Sequence, residues 1–581
     1  MSVKLNQLFS ETPLLDIKEL TYIENYKNNI DEWSATLIHL ELGEAAKQIF
    51  TTLLELRSLN CDDFLRFSLL EKIQNSLTHL LSSLEQHYLS NSLLDTKRDQ
   101  QIADLVLEIK AHHALIYIDI FKRAHQVLVT NKFSLFEFNQ KKKLTQLRKQ
   151  CAFLGFKNLN KLLYSLQLLY LDVPKFFWST AYSAFHIAKD YGFEAERINE
   201  TTPETDEDDV TTVEGSFIQL ILSSLLNSHK LRQTEIRDLI HFVTYWTELV
   251  RISKEPDQHT QYAFNHLHDN SPKFYVKSEY FDKDSYYINV SHLVAYIDAV
   301  LQPSARYYSK YEEKNFSNVL KHHVQSALNP DNIRHSPRFS DDGVMELSLG
   351  ITSAHFFLSY AQHFKETLQL DEPYTSPQPA LSKLLADKEI QLSSKTHEQR
   401  FNAEVTKIYN SGIVNRSETG YCLQWLETTP RHLRAGEFIL LRDNSDSPWQ
   451  GSIIRWLKTN NQQQIEFGVE LFSTEMCPIA ICIPKPGNVP IYHPAILFFE
   501  ENDLFSIIVP SSQIFHENQN LIFRLGQAEI KVFLTNSTLL TQSCAKFSFD
   551  LLEQSKYPIL KQYFEEHLHK LNTQDLWDSL K

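Results

Sequence analysis

The sequence predicts a multidomain α + β protein: an N-terminal α-helical irregular-repeat region, then a small antiparallel β-barrel and a strand-rich extension. Two observations predict this order. Of the 13 glycines in 581 residues, six fall in the first 400 positions and seven in the last 181. Because glycine supplies turn conformations that β-rich domains need in number, this shift places the strands late in the chain. The apolar spacing also changes near residue 400, from helical to alternating.

The first 370 residues carry apolar patterns that are typical of amphipathic helices. From Leu159 apolar residues recur at i, i+3, i+4 and i+7, and Pro174 precedes a second helix with small residues on one side, which ends at Gly192. The pair predicts a helical hairpin like a tetratricopeptide unit, although no regular 34-residue repeat follows. Further helices are predicted at 33–57, 64–95, 98–130, 215–250, 310–327 and 346–368, with an extended segment within Lys273 to Val290.

Shifts in composition divide the chain into segments. The acidic linker, TTPETDEDDVTTVEG, lacks large apolar side chains, and the proline-rich linker begins with DEPYTSPQP. The predicted segments are a helical subdomain at 1–200, the acidic linker at 201–215, a second helical subdomain at 216–370, the proline-rich linker at 371–394, the barrel at 395–485, and an extension at 486–581 with a helix near 553–570.

Charge and cysteine content exclude several classes of protein. With 57 Lys and Arg against 72 Asp and Glu, the net charge of −15 argues against a protein that coats DNA or RNA. Six scattered cysteines do not form a disulfide framework, and the N-terminus lacks the apolar core of an export signal. No stretch is apolar enough to span a membrane. A cytoplasmic protein is therefore expected.

The barrel region contains short strands separated by turn residues. Strands are predicted at 401–409, 420–425, 437–442, 451–456 and 465–471. Between the first two lies Val414-Asn-Arg-Ser-Glu-Thr-Gly420, an N-x-S-x-x-G element. This strand order predicts a small antiparallel barrel.

These elements together resemble the PilZ domain, a six-stranded barrel known as a receptor for cyclic diguanylate (cyclic di-GMP). The resemblance covers about 90 residues, 395–485, and is carried by N-x-S-x-x-G, Ala435-Gly-Glu437, Gly451-Ser-Ile-Ile-Arg-Trp456 and Gly468-Val-Glu470. The strand-rich tail after the barrel and the long helical part before it are similar to the layout of a group of bacterial PilZ proteins.

A receptor for a cyclic dinucleotide needs guanidinium groups for phosphates and guanine edges, short polar side chains, and a glycine that admits close backbone approach. The candidate ligand-binding residues are Arg400, Asn415, Arg416, Ser417 and Gly420. The alternative is structural, because the same turn residues can simply connect two strands, with Gly420 at positive φ. Both interpretations stay open at the level of the sequence.

The ligand-binding form of the family carries an R-x-x-x-R pair just before its first strand. In Ser394-Lys-Thr-His-Glu-Gln-Arg400, the stretch before the strand predicted at 401–409, Arg400 stands alone and Thr396 occupies the position four residues earlier. The segment 395–485 contains ten basic and ten acidic residues, so it is neutral within an acidic chain. Neutrality permits an anionic ligand there.

No catalytic or metal site is predicted. The His266-Leu-His268-Asp269 cluster lacks the i, i+4 histidine pair of a helical zinc site, and Cys477 and Cys482 have no second cysteine pair near them. Phosphate-cradling and nucleophile-elbow glycine motifs do not occur. No cofactor is expected, and cyclic di-GMP is the candidate ligand.

The sequence therefore favours a non-catalytic cytosolic bacterial signalling adaptor that binds cyclic di-GMP and relays it to protein partners through the helical region. The alternative is a helical-repeat interaction scaffold whose degenerate PilZ-like domain docks partners and binds no nucleotide.

Overall fold

A computed structural model describes residues 2–89, 96–198, 211–276, 283–302, 305–329, 337–368, 403–430, 432–460, 462–484, 490–500, 504–511 and 513–578. The chain separates into two compact units. The first comprises Met1–Ile333 with Thr459–Gln463, and the second comprises Arg334–Lys458 with Gln464–Lys581. Most of the acidic linker, the whole proline-rich linker and Arg400 lie outside the described residues.

The first unit is mainly helical, as predicted. Its helices are α1 (Ser2–Ser10), α2 (Tyr26–Thr36), α3 (Leu42–Ser58), α4 (Asp63–Leu89), α5 (Lys97–Thr130), α6 (Phe138–Leu168), α7 (Phe177–Asp190), α8 (Val213–Leu225), α9 (Gln233–Trp246), α10 (Ser291–Val300), α11 (Lys310–Asn315) and α12 (Asn318–Ala327). The helical hairpin predicted after Leu159 is α6 and α7, and the small residues Ala181, Ala184 and Ala188 on α7 are buried.

A four-stranded sheet interrupts the helices of this unit. It consists of β1 (Arg251–Ser253), β2 (Tyr262–Asn265), β3 (Lys273–Phe274) and β4 (Ser285–Asn289), in the order β1-β4-β2-β3. The sequence predicted an extended segment within Lys273 to Val290 but missed the other strands. Phe264 of β2 stacks on Tyr182 of α7 with ring centroids 4.3 Å apart, so the sheet shares the helical core.

The second unit begins with a β-barrel whose first strand precedes the proline-rich linker. Its strands are β5 (Phe339–Ser340), β6 (Val344–Leu349), β7 (Tyr409–Ser417), β8 (Gly420–Trp425), β9 (Phe438–Arg442), β10 (Gln450–Thr459) and β11 (Ile465–Leu471). Strands β6-β7-β8-β11-β10-β9 follow one another around a ring, because β6 pairs with both β7 and β9 and β7 also pairs with β8. We call this ring the first barrel.

Two local predictions near this barrel are wrong. Residues 403–405 form a helical turn, so the strand expected at 401–409 begins only at Tyr409. The helix predicted at 346–368 begins instead with β6, and only α13 (Ile351–Leu358) and α14 (Phe364–Thr367) are helical there. From Val344 to Leu347 more exposed and buried residues alternate with the strand period, with Met345 and Leu347 buried, before a helical apolar run follows.

The strand-rich extension forms a second barrel, which is closed. Its strands are β12 (Met476–Cys482), β13 (Tyr492–Phe499), β14 (Phe505–Pro510), β15 (Asn520–Leu525), β16 (Ala528–Leu540) and β17 (Cys544–Leu551), in the order β12-β13-β14-β17-β16-β15. When the six strands of each ring are numbered along the chain, both barrels have the cyclic order first, second, third, sixth, fifth, fourth. The unit therefore contains two barrels of one topology. Helix α15 (Tyr557–Asp578) follows, and its Leu560 and Phe564 pack into the core of the second barrel.

Helix α13 joins the two barrels into one core. Ile351 of this helix belongs to a buried cluster with Phe438 of the first barrel and Phe498 of the second. Burial of such a continuous apolar surface is the main stabilising contribution in a unit of this kind. Among the described helices, none is long and apolar enough to cross a bilayer.

Candidate functional site

The N-x-S-x-x-G element forms the hairpin between β7 and β8. Ser417 pairs with Gly420 across a turn of two residues, and the Ser417 Oγ donates a hydrogen bond to the Gly420 carbonyl at 3.2 Å. Gly420 does not adopt positive φ, contrary to the structural interpretation of its role. A Cβ at this position would instead lie 2.0 Å from the Val469 carbonyl oxygen of β11. Glycine is needed here because the neighbouring strand comes so close.

The short strand β5 lies against the same hairpin. Phe339 pairs with Arg416 and Ser340 pairs with Asn415, so the chain that enters the barrel runs antiparallel to the motif. The exposed Arg338 directly precedes Phe339, the residue that pairs with Arg416. We call residues 338–340 the entry segment. The entry segment and the N-x-S-x-x-G element therefore form one surface at the end of the barrel.

The R-x-x-x-R pattern that is absent from 394–400 occurs earlier in the chain and ends at Arg338. Arg334-His-Ser-Pro-Arg338 is an R-x-x-x-R pair, and it stands just before β5 and β6. The first strand of the ring is β6 at Val344–Leu349 and not the strand predicted at 401–409, so the pair stands shortly before the true first strand. Arg334, like Arg400, lies outside the described residues. The R-x-x-x-R pattern can be read in the sequence, but its position just before the barrel follows only from the structure.

A β-bulge shapes β7 beside the motif. The register against β8 shifts between Ile413 and Asn415, which leaves Val414 as the extra residue. On the other side of the strand, the Ile413 N–H donates to the Gly343 carbonyl at 2.8 Å. Bulges increase local twist and redirect side chains. Here the bulge sets the direction of Asn415 and the residues that follow.

One acidic side chain faces the arginine of the motif. Arg416 Nε lies 3.5 Å from Asp341 Oδ2, with the side chains 59% and 30% exposed. Ion pairs this exposed contribute little to stability. Tyr421, which pairs with Arg416 across the hairpin, has a raised pKa, chiefly because burial and then Asp443 disfavour its phenolate, while Arg416 acts in the opposite direction. Arg416 is thus half-solvated, and its present partner can be exchanged for another anion.

The other motif residues behind the PilZ resemblance support the barrel. A Cβ on Gly468 would lie 1.9 Å from the indole Nε1 of Trp456, so glycine makes room for that ring. Gly451 lies against Met476 and Phe498, where the first barrel meets the second. Glu437 Oε2 accepts hydrogen bonds from Arg434 Nε at 3.0 Å and from Ser543 Oγ at 2.5 Å. These residues hold strands and barrels together.

The second barrel has a different sequence at the corresponding hairpin. Between β13 and β14 the chain reads Glu500-Glu-Asn-Asp-Leu504, with no N-x-S-x-x-G element. Glu500 accepts a hydrogen bond from Ser506 and forms an ion pair with Lys546 at 2.5 Å. The acidic hairpin is unsuited to an anionic ligand. Only the first barrel carries the motif.

The histidine cluster considered as a metal site has a structural role. The Asp269 carboxylate accepts backbone hydrogen bonds from Phe176 and, at 3.0 Å, from Ser179, at the start of α7. His266 stacks on His186 with ring centroids 3.8 Å apart. Within the described ranges, no group of three or more His, Cys, Asp or Glu is arranged to hold a metal ion.

Comparison with known proteins gives matches over most of the chain. Residues 28–257 match the family model described as "Cyclic-di-GMP receptor FimW, N-terminal domain", and residues 262–389 and 373–478 match "Cyclic-di-GMP receptor FimW, middle PilZ domain". A relative in Pseudomonas aeruginosa strain PAO1, "Cyclic-di-GMP receptor FimW", is 22% identical over 587 residues, covering 93% of each chain. No solved structure matches significantly.

The match to the middle domain begins well before the barrel predicted from the sequence. Its first segment, 262–389, includes the R-x-x-x-R pair and β6, and its second, 373–478, includes the hairpin motif and β11. The predicted PilZ resemblance, the helical N-terminal region and the antiparallel barrel are confirmed.

Proposed function

Because this chain belongs to the family of PilZ-domain proteins that these two models describe, we propose that it is a receptor for cyclic di-GMP. The proposed site is the surface where the entry segment of the first barrel meets the β7–β8 hairpin. We call it the hairpin site, and it comprises Arg338, Asn415, Arg416, Ser417 and Gly420, with Arg334 assigned to it from the sequence alone.

The register between β5 and β7 carries this proposal. It brings the residue after the R-x-x-x-R pair into direct pairing with Arg416 of the N-x-S-x-x-G element, although some 77 positions separate them in sequence. The end of one arginine-bearing motif is thereby adjacent to the other. A cyclic dinucleotide offers two phosphates and two guanine edges, and planar guanidinium forks bind both kinds of group bidentately.

Each residue of the hairpin site has a chemical task in this proposal. Arg338 and Arg416 supply the forks for phosphate and guanine, and Asn415 and Ser417 supply short polar groups. Gly420 keeps β8 close to β11, so it holds the hairpin in place. Arg400, which the sequence offered as a fork, remains a weaker candidate because it does not belong to the R-x-x-x-R pair.

The proposed function is that of an adaptor without catalytic chemistry in the cytoplasm. Ligand binding at the hairpin site would shift the populations of two arrangements of the chain to the extent that it binds them with different affinity. The helical region offers surfaces for protein partners. The alternative, a degenerate barrel that binds no nucleotide, rested on the missing arginine pair, and the presence of Arg334 and Arg338 favours the receptor.

Isothermal titration of the full chain with cyclic di-GMP tests the proposal. We expect saturable binding to the wild type and at least tenfold weaker binding to Arg416→Ala and Ser417→Ala, since hydrogen bonds to charged groups are worth about 1.5–3 kcal/mol. Arg251→Ala, which removes an exposed arginine from β1 in the other unit, serves as the matched control. The linear dinucleotide tests selectivity for the ring. Absence of binding to the folded wild type at high micromolar ligand would refute the receptor function.

A further inference from the structure

The turn between α5 and α6 exposes large aromatic side chains. Phe136 is 100% exposed and Phe138 is 66% exposed, and Val129, at the end of α5, is 53% exposed. Scattered exposed apolar residues are ordinary, but a protruding group of them in one turn marks a contact surface. We call residues 129–143 the aromatic tip.

Local hydrogen bonds give the aromatic tip a defined shape. Ser134 and Glu137 form a capping box, in which Glu137 Oε2 accepts from both the N–H and the Oγ of Ser134 at 2.8 Å. The Asn131 N–H donates to the Val127 carbonyl at 3.0 Å and ends α5. The turn thus satisfies these backbone groups internally, as a segment entering a poorly hydrated environment must do.

Positive charge surrounds the exposed rings. Four exposed lysines lie within 131–143, namely Lys132, Lys141, Lys142 and Lys143, and Glu137 is the one acidic residue in that stretch. The chain as a whole carries −15. The aromatic tip therefore concentrates cations and apolar rings in a molecule whose net charge is negative.

We propose that the aromatic tip docks on anionic lipid surfaces, with the rings of Phe136 and Phe138 entering the headgroup region and the lysines contacting lipid phosphates. Surface-bound segments bury Trp, Phe or Leu side chains at the headgroup boundary and combine this insertion with attraction to anionic headgroups. The exposed lysines beside the exposed rings match that combination, and an acidic protein partner is the alternative that the test separates. The docking is peripheral and independent of the hairpin site.

Sedimentation of the full chain with lipid vesicles tests the proposal. We expect the wild type to sediment with vesicles of phosphatidylcholine mixed with phosphatidylglycerol and to remain in solution with phosphatidylcholine alone. Phe136→Ser with Phe138→Ser should abolish sedimentation. Replacing Lys141, Lys142 and Lys143 with Gln should weaken binding about fivefold per lysine at low salt, and added salt should weaken the wild type similarly.

Matched variants separate the aromatic tip from general charge and hydrophobicity. One control replaces three dispersed exposed lysines, Lys18, Lys27 and Lys47, with Gln, which changes the net charge by the same amount as the substitutions at Lys141, Lys142 and Lys143. A second control, Leu267→Ser, removes a 65% exposed apolar residue outside the aromatic tip. Both should bind vesicles like the wild type, and Phe136→Trp, which keeps a large aromatic ring at this position, should retain the binding that the double serine variant loses. The proposal is overturned if the wild type does not sediment with anionic vesicles, which is the result that an acidic protein partner would give. It is also overturned if the variants of the aromatic tip still sediment.

Discussion

Phe339 of β5 and Arg416 of β7 are paired across two antiparallel strands. In sequence, β5 precedes the proline-rich linker and β7 follows it. Phe339 directly follows Arg338, the last residue of R-x-x-x-R, and Arg416 lies inside N-x-S-x-x-G. The pairing makes one surface of two motifs. Arg416 is therefore paired with the residue that directly follows Arg338.

The first prediction distinguishes these arginines from Arg400. Arg338→Ala and Arg334→Ala should each weaken cyclic di-GMP binding at least tenfold, because each removes a fork that the anionic ligand would engage. Arg400→Ala should leave the dissociation constant within about twofold. Calorimetric titration of the three full-length variants measures this order. A large loss at Arg400 with none at Arg338 would contradict the assignment of the pair.

The second prediction concerns Asp341, whose carboxylate lies 3.5 Å from Arg416 Nε. Asp341→Asn should strengthen cyclic di-GMP binding by about two- to fivefold, because it removes a competing anion and releases the guanidinium from a weak ion pair. The same titration measures the gain. Asp342→Asn changes the same charge one residue further on, at an exposed position, and controls for general electrostatics. Equal gains in both variants would show that the ion pair itself does not matter.

The limits of the sequence-based prediction have a definite physical cause. The helical region, the change to strands and the hairpin motif follow from local periodicity and turn chemistry, and these were found correctly. Strand β6 belongs to the first barrel because it pairs with β7 and β9, which follow the proline-rich linker in sequence. Such a long-range pairing leaves no mark on local periodicity.

Part of the candidate site also depends on long-range strand pairing and could not be predicted from the sequence. Asn415, Arg416, Ser417 and Gly420 occur together in one turn, so the motif identified them. Arg338 was missed because its significance depends on which strand comes first in the ring. Of the two roles considered for Gly420, the positive φ is wrong, because its close contact is with Val469 of β11 and does not arise within its own turn.

The third prediction tests that close approach. Gly420→Ala should destabilise the second unit by about 2 kcal/mol or more, because the new Cβ would meet the Val469 carbonyl at 2.0 Å and the strand must move. Urea denaturation of the full chain, followed by circular dichroism, measures the shift. Gly43→Ala is the matched control, since no atom lies within 4 Å of its new Cβ and it sits in α3. There alanine should be neutral or slightly stabilising.

The fourth prediction concerns the contact between the two barrels at Glu437. Ser543→Ala removes the hydroxyl that donates to Glu437 Oε2 at 2.5 Å and should cost about 1–2 kcal/mol of unfolding free energy, because the acceptor is buried. Thermal denaturation at neutral pH measures it. Ser445→Ala, at an exposed turn, should have no effect. If the two substitutions behave alike, the hydrogen bond does not help to hold the barrels together.

The last prediction follows from His355 on α13, which is buried and lies with its ring against Phe364 of α14. Burial, and to a smaller extent His567, lowers the pKa of His355 from its ordinary 6.5 to about 3. The unfolded chain binds a proton here below about pH 6.5, whereas the folded chain remains neutral down to about pH 3. Stability should therefore be complete above pH 6.5 and fall as the pH drops through this window, by up to about 1.4 kcal/mol per pH unit from this group.

A variant isolates the contribution of His355. His355→Gln should lower stability at neutral pH through lost packing, but its stability should fall less steeply than that of the wild type between about pH 6 and 5, because no proton is taken up at this position on unfolding. Urea denaturation of both proteins across the pH series gives the two slopes. The exposed His259→Gln controls for the change of residue type. Parallel slopes for the wild type and His355→Gln would exclude His355 as a source of acid sensitivity.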